Sequence, residues 1–231
     1  MTYVFAGDSW AMKAFDDKNW NTGWYNDSDF RLSDVWSVPY QGCFAPGHGN
    51  LEVMRRVKAL DTKQPIIWVW TEVGRDYSEV YQRPPHAWLQ MEDFFHVRSE
   101  LTARVFKIIR EQIPNPIALI GGLGDIDPAM AYAHGFWVLN PSWQHWTAQR
   151  LGSRWFQFGW GAGDVGWRQH YDNITPSRAM VTAWDELIKE WCWWEKEGYM
   201  CHEHPTAHSC REFGTMLKSQ VLEWLDRHEQ G

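Results

Sequence analysis

Cysteine is scarce in this chain, and basic residues are outnumbered. Four cysteines (Cys43, Cys192, Cys201 and Cys210) among 231 residues are too few and too irregularly spaced for a disulfide scaffold. Lys and Arg total 22 against 29 Asp and Glu, a formal net charge of −7. Phosphate binding needs a basic face, so this balance argues against nucleic acid as a partner. No apolar run approaches the roughly 20 residues of a membrane span. The opening Met1-Thr2-Tyr3-Val4-Phe5-Ala6 has neither the basic head nor the long apolar body of a signal peptide. The expectation from these absences is a cytoplasmic protein with no membrane partner. Internal repeats and low-complexity segments are also missing. Gly121-Gly122-Leu123-Gly124 fits neither the dinucleotide-binding fingerprint nor the phosphate-cradling P-loop, so no nucleotide cofactor is expected.

Tryptophan is what the chain has in excess: 18 residues, with aromatics at 16%. Such rings fill cores, and they also form platforms for sugar rings and acyl chains. The length suits one well-buried domain over residues 1–231. Within it, Tyr3 to Ala6 reads as a buried first strand ending at Gly7, and Val35 to Tyr40 as a short second strand weakened by Pro39. Asn50 has the chemistry of a helix cap, with Leu51, Met54 and Val57 following at helical spacing. Pro65 to Trp70, Pro116 to Ile120 and Gly135 to Leu139 read as three further strands. Helices are expected over Arg98–Ile113, on a stripe from Met180 to Trp191, and on a stripe from Phe213 to Leu225. Asn19 to Asp29, and the Gly/Trp-rich stretch from Asn140 to Pro176, lack clean periodicity and read as loops. Strands alternating with helices predict an α/β fold with about five strands in a mainly parallel sheet covered on both faces. Ligands in such folds bind beyond the carboxyl ends of the strands.

Two motifs fall at that edge. Gly7-Asp8-Ser9-Trp10 follows the first strand, where a strand-to-helix turn would lift the Ser9 hydroxyl to the rim; a base that takes its proton would make it a nucleophile. By itself the tetrapeptide also fits a plain helix cap. His204-Pro205-Thr206 precedes the last helix, with Pro205 suited to a first-turn position, and histidine is the natural general base near neutral pH. Their combination resembles the GDSL/SGNH hydrolases, esterases and acetylesterases of flavodoxin-like three-layer α/β/α fold, and the resemblance runs from Ser9 to the C-terminal helix. It implies Ser9 as nucleophile and His204 as base in the hydrolysis of a short-chain or carbohydrate ester, with no cofactor or metal. The family's second block supplies an oxyanion-hole glycine; Gly47-His48-Gly49-Asn50 stands in its place, and Gly49 is the choice, with Gly47 as fallback. Backbone N–H groups at Ser9 and Gly49 would hold the oxyanion. Two blocks depart from the family pattern. Val69-Trp70-Thr71-Glu72 stands where Gly-x-Asn-Asp is usual, which leaves the Thr71 hydroxyl as the third oxyanion donor. Cys201 stands where an Asp would orient the base, so the acid is left open among Glu203, Asp125, Asp127 and Asp164, or absent from a Ser-His dyad. Arg75 is placed to contact an acidic substrate.

Two rival readings come from other clusters. Cys201, His202, His204, His208 and Cys210 offer up to five zinc ligands within ten residues, although without paired Cys-x-x-Cys spacing. The Trp-rich stretches Trp20–Trp24 and Trp143–Trp167 would suit a carbohydrate-binding module without chemistry.

Overall fold

Four apolar runs of the sequence and one weaker edge segment pair side by side as the strands of one sheet. In the computed structural model, which describes residues 2–12, 14, 30–71, 73–82, 91–122, 126–152, 196–201 and 204–228, these are β1 (Tyr3–Gly7), β2 (Tyr40–Phe44), β3 (Ile66–Trp70), β4 (Ile117–Gly121) and β5 (Trp137–Leu139). All neighbours are parallel, in the order β2-β1-β3-β4-β5. The helices are α1 (Ser9–Met12), α2 (Asn50–Ala59), α3 (Tyr77–Tyr81), α4 (Met91–Gln112), α5 (Pro128–Ala133), α6 (Trp143–Leu151) and α7 (Ala207–His228).

Side chains alternate across a strand, so each buried strand feeds two cores. Tyr3 and Phe5 of β1, Ile67 and Val69 of β3, and Ala118 and Ile120 of β4 join a core made with Trp10 of α1, Trp143 of α6, and Phe213, Leu217 and Trp224 of α7. Val4 and Ala6, Ile66, Trp68 and Trp70, and Ile117 and Leu119 face the opposite core, closed by α2, α3, α4 and α5. Cover on both faces explains why β1, β3 and β4 read as unbroken apolar runs instead of alternating ones. Each large side chain buried there contributes about 1.5–3 kcal/mol; Trp70 adds a tilted ring contact to Phe106 of α4 at 4.7 Å. The result is the three-layer, flavodoxin-like α/β/α fold expected from the sequence.

Several boundaries differ from expectation. Val35 and Trp36 belong to a 3₁₀ helix over Leu32–Trp36, which ends at Ser37 with φ 57°. Strand β2 begins only at Tyr40, after Pro39, and lies at the sheet's edge with Gln41 and Gly42 exposed. Helix α4 starts at Met91, seven residues before the expected Arg98. Gly135, with φ 77°, belongs to the turn after α5, so β5 starts at Trp137. Asn50 is the first residue of α2, and the cap position belongs to Gly49. The stretch Asn140 to Pro176 contains α6, and its part beyond Gly152, like Asn19–Asp29 and Met180–Trp191, lies outside the described residues. Among the described residues, no helix is long and apolar enough to cross a membrane.

Candidate active site

The strand order reverses direction at β1, which passes to β2 on one side while β3 lies on the other. Between the carboxyl ends of β1 and β3 such a reversal opens a crevice, the usual ligand position in this topology. Gly7 ends β1 there with φ 153°. A Cβ at Gly7 would stand 2.6 Å from Ala11 Cβ and 2.9 Å from the Val69 carbonyl oxygen. Only glycine lets the chain turn at once into a helix lying this close to the strand ends. Asp8 then caps the turn: its Oδ1 accepts the Trp10 N–H at 2.9 Å, and its carbonyl accepts the N–H groups of Ala11 and Met12. Ser9 follows as the first helical residue, half-buried at the rim.

His204 arrives from the other end of the chain. His204–Pro205 forms a two-residue strand, β7, antiparallel to β6 (Met200–Cys201), with Cys201 opposite His204. Pro205 therefore lies in a strand and not in the first turn of the last helix. Thr206 caps that helix, its Oγ1 accepting the Ser209 N–H at 3.1 Å. The hairpin sets His204 Nε2 2.8 Å from Ser9 Oγ, across 195 residues of sequence. With the ring proton on Nδ1, Nε2 accepts the Ser9 hydroxyl proton, the arrangement a general base requires.

Behind Ser9 lies a buried polar network that sequence reasoning largely missed. Asp8 is 0% exposed. Its Oδ2 accepts the Thr71 hydroxyl at 2.5 Å and lies 3.6 Å from Arg75 Nη1. Thr71 has one hydroxyl proton, and Asp8 holds it; this withdraws the side chain from the expected oxyanion role. Arg75 likewise turns to Asp8, and its Nη1 is buried without a hydrogen-bond partner. The Thr71 backbone exchanges two 3.2 Å hydrogen bonds with the Asn50 amide. Asp76, in a 3₁₀ turn over Val73–Asp76, accepts the N–H groups of Asn50 and Leu51 at 3.0 and 2.9 Å and the Asn50 amide at 3.1 Å. Burial pushes the Asp76 carboxyl up to about 6, against the opposing pull of those N–H donors. No short-range pattern announces this pairing, because Asp76 and Asn50 lie 26 residues apart.

Gly49 precedes α2 in the loop after β2, which runs beside β1 with Phe44 opposite Gly7. A Cβ on Gly49 would come within 2.3 Å of Asp76 Oδ1, so glycine here also admits the buried carboxylate. Gly47, with φ 75°, has open space around its Cα. Among the open acid candidates, Asp127 caps α5 by accepting from Ala129 and Met130; Glu203, Asp125 and Asp164 lie outside the described residues. The proposed zinc ligands disperse where they are described: Cys210 is a buried free thiol in the α7 core, and His208 is exposed, 3.9 Å from Glu212. His202 and the Cys201 side chain lie outside the described residues, within which no group of three or more His, Cys, Asp or Glu could hold a metal ion. Of the Trp-rich stretches, Trp20–Trp24 and the part beyond Gly152 lie outside the described residues, while Trp143 is buried. Further along the same sheet edge, a cavity of about 580 Å³ opens past β4 and β5, lined by Gly121, Met130, Leu139, Ser142, His145 and Gln149 among others. No family model, curated protein or solved structure matches the chain.

Proposed function

We propose that the chain is a serine hydrolase of the SGNH kind, cleaving a short-chain or carbohydrate O-acetyl ester through an acyl-enzyme on Ser9. The observation that carries this reading is the 2.8 Å approach of His204 Nε2 to Ser9 Oγ at the crevice beside β1. Histidine and serine come from opposite ends of the chain, and a pair that only folding can assemble is a stronger signal than either motif alone.

In the proposed reaction His204 takes the Ser9 proton as Oγ attacks the ester carbonyl. The tetrahedral oxyanion is held by the backbone N–H groups of Ser9 and Gly49. Collapse of the intermediate expels the alcohol, which receives its proton from His204 and leaves an acyl group on Ser9. Water, deprotonated by His204, then releases the acid. Thr71 supports the turn through Asp8, in place of the donor role the family resemblance implied. The scheme draws on no metal or organic cofactor, and its partner is a small-molecule or carbohydrate ester.

Hydrolysis of p-nitrophenyl acetate by wild type, Ser9→Ala and His204→Ala tests the proposal. Both variants are expected to lose about 10³-fold or more in kcat. Turnover that survives Ser9→Ala contradicts it.

A further inference from the structure

A two-residue ladder such as β6–β7 is a weak support for an imidazole, yet His204 meets Ser9 at hydrogen-bond distance. The hairpin is braced from behind. Thr206 ties its two arms together: its N–H donates to the Tyr199 carbonyl at 3.2 Å and its hydroxyl to the Gly198 carbonyl at 2.6 Å. The same hydroxyl accepts the Ser209 N–H, joining the hairpin to the first turn of α7. Ser209 is 0% exposed, and its Oγ accepts the Trp143 indole N–H at 2.8 Å. Trp143 comes from α6, from neither of the two segments that carry the pair. Its ring is stacked on Phe213 of α7 at 4.9 Å and stands edge-on to Trp10 at 5.7 Å. Trp10 directly follows Ser9 and donates its N–H to Asp8. The contacts close a ring: Ser9, Trp10, Trp143, Ser209, Thr206, His204 and back to Ser9.

We propose that Trp143 is a positioning residue for the Ser9–His204 pair, its ring fixing the Trp10 turn and its indole N–H fixing the His204 hairpin through Ser209 and Thr206. This inference rests on the proposed serine hydrolase reading. A buried indole N–H usually finds an acceptor, and here the acceptor belongs to the first turn of the helix that begins three residues after His204. Loss of that bond frees the hairpin to shift relative to Ser9, and a displacement on the order of 1 Å costs about 100-fold in reactions that depend on alignment.

Trp143→Phe keeps an aromatic ring and removes the donor; Ser209→Ala removes the acceptor. Each is expected to lower kcat for p-nitrophenyl acetate by at least about 10-fold with KM unchanged. The double variant is expected to lose little more than either alone, because both break one bond. Val57→Ala, a core truncation in the opposite layer, serves as the control for general loss of stability and should leave kcat unchanged at a comparable drop in Tm. The ¹⁵N shift of His204 Nε2 is read in parallel and requires no turnover. It should change in Trp143→Phe in the same direction as in Ser9→Ala. A wild-type Nε2 shift in Trp143→Phe overturns the positioning role, as does an equal kcat loss in Val57→Ala. Ser9-independent turnover with an Nε2 shift that still follows Trp143 would sink the hydrolase reading and leave the positioning intact.

Discussion

At the residue scale, the site depends on carboxylates that water does not reach. Asp76 is 2% exposed and satisfies the first turn of α2 from outside that helix, a duty that a local capping residue usually performs. Desolvation is the largest cause of its raised pKa; the N–H donors from Leu51 and Asn50 oppose it and lose. With a folded value of about 6 against an ordinary 3.8, the folded protein holds this proton more tightly than the unfolded chain. Its contribution to stability is full below pH 3.8 and is lost as pH rises through about 6, an effect of about 3 kcal/mol. Asp76→Asn removes this titration. Urea melts should show the stability of the variant relative to wild type improving by about that amount between pH 3.8 and pH 7. A difference that stays constant with pH contradicts the account. Ser9 and His204 were legible in the sequence because each carries its own local signal, a turn after a strand and a His-Pro before a helix. Asp76 and Asn50 were not, since a buried carboxylate reveals itself only through partners that folding supplies. The Thr71 hydroxyl bond is hidden from the sequence for the same reason: its acceptor, Asp8, lies 63 residues away.

At the scale of elements, β1 and α1 form one unit whose joint tolerates no side chain. Gly7→Ala places a methyl against Ala11 Cβ and the Val69 carbonyl, one of them backbone that cannot rotate away. The expected loss is about 1–3 kcal/mol, the usual range for overpacking a tight site, read as a fall in Tm by circular dichroism. An unshifted Tm contradicts the close approach. Legibility followed burial here as well. Strands β3 and β4 are buried along their whole length and were visible as apolar runs. At the edge, β2 exposes its middle, and its Tyr-Gln-Gly-Cys-Phe carries little apolar signal. The stronger apolar signal at Val35 and Trp36 belongs to a 3₁₀ helix, where Trp36 reaches the Gly214 carbonyl of α7 through its indole N–H at 3.1 Å.

At the scale of the whole molecule, the excess of tryptophan resolves chiefly into packing among the described residues. Trp10, Trp36, Trp68, Trp70, Trp143 and Trp224 are each 2% exposed or less, whereas Trp137 is 40% exposed. Two of the buried rings, Trp10 and Trp143, lie directly behind the candidate site and join the layer of α7 to the turn that carries Ser9. The topology thus brings residues from both ends of the chain to one crevice, and the central claim is that Ser9 there is a nucleophile activated by His204. Labelling with a fluorophosphonate probe, followed by peptide mapping, tests it most directly, because the probe phosphonylates only an activated hydroxyl. The account predicts a single modified peptide carrying the adduct on Ser9, lost in Ser9→Ala and strongly slowed in His204→Ala. An adduct on another residue, or labelling of Ser9 at an undiminished rate in His204→Ala, would contradict it.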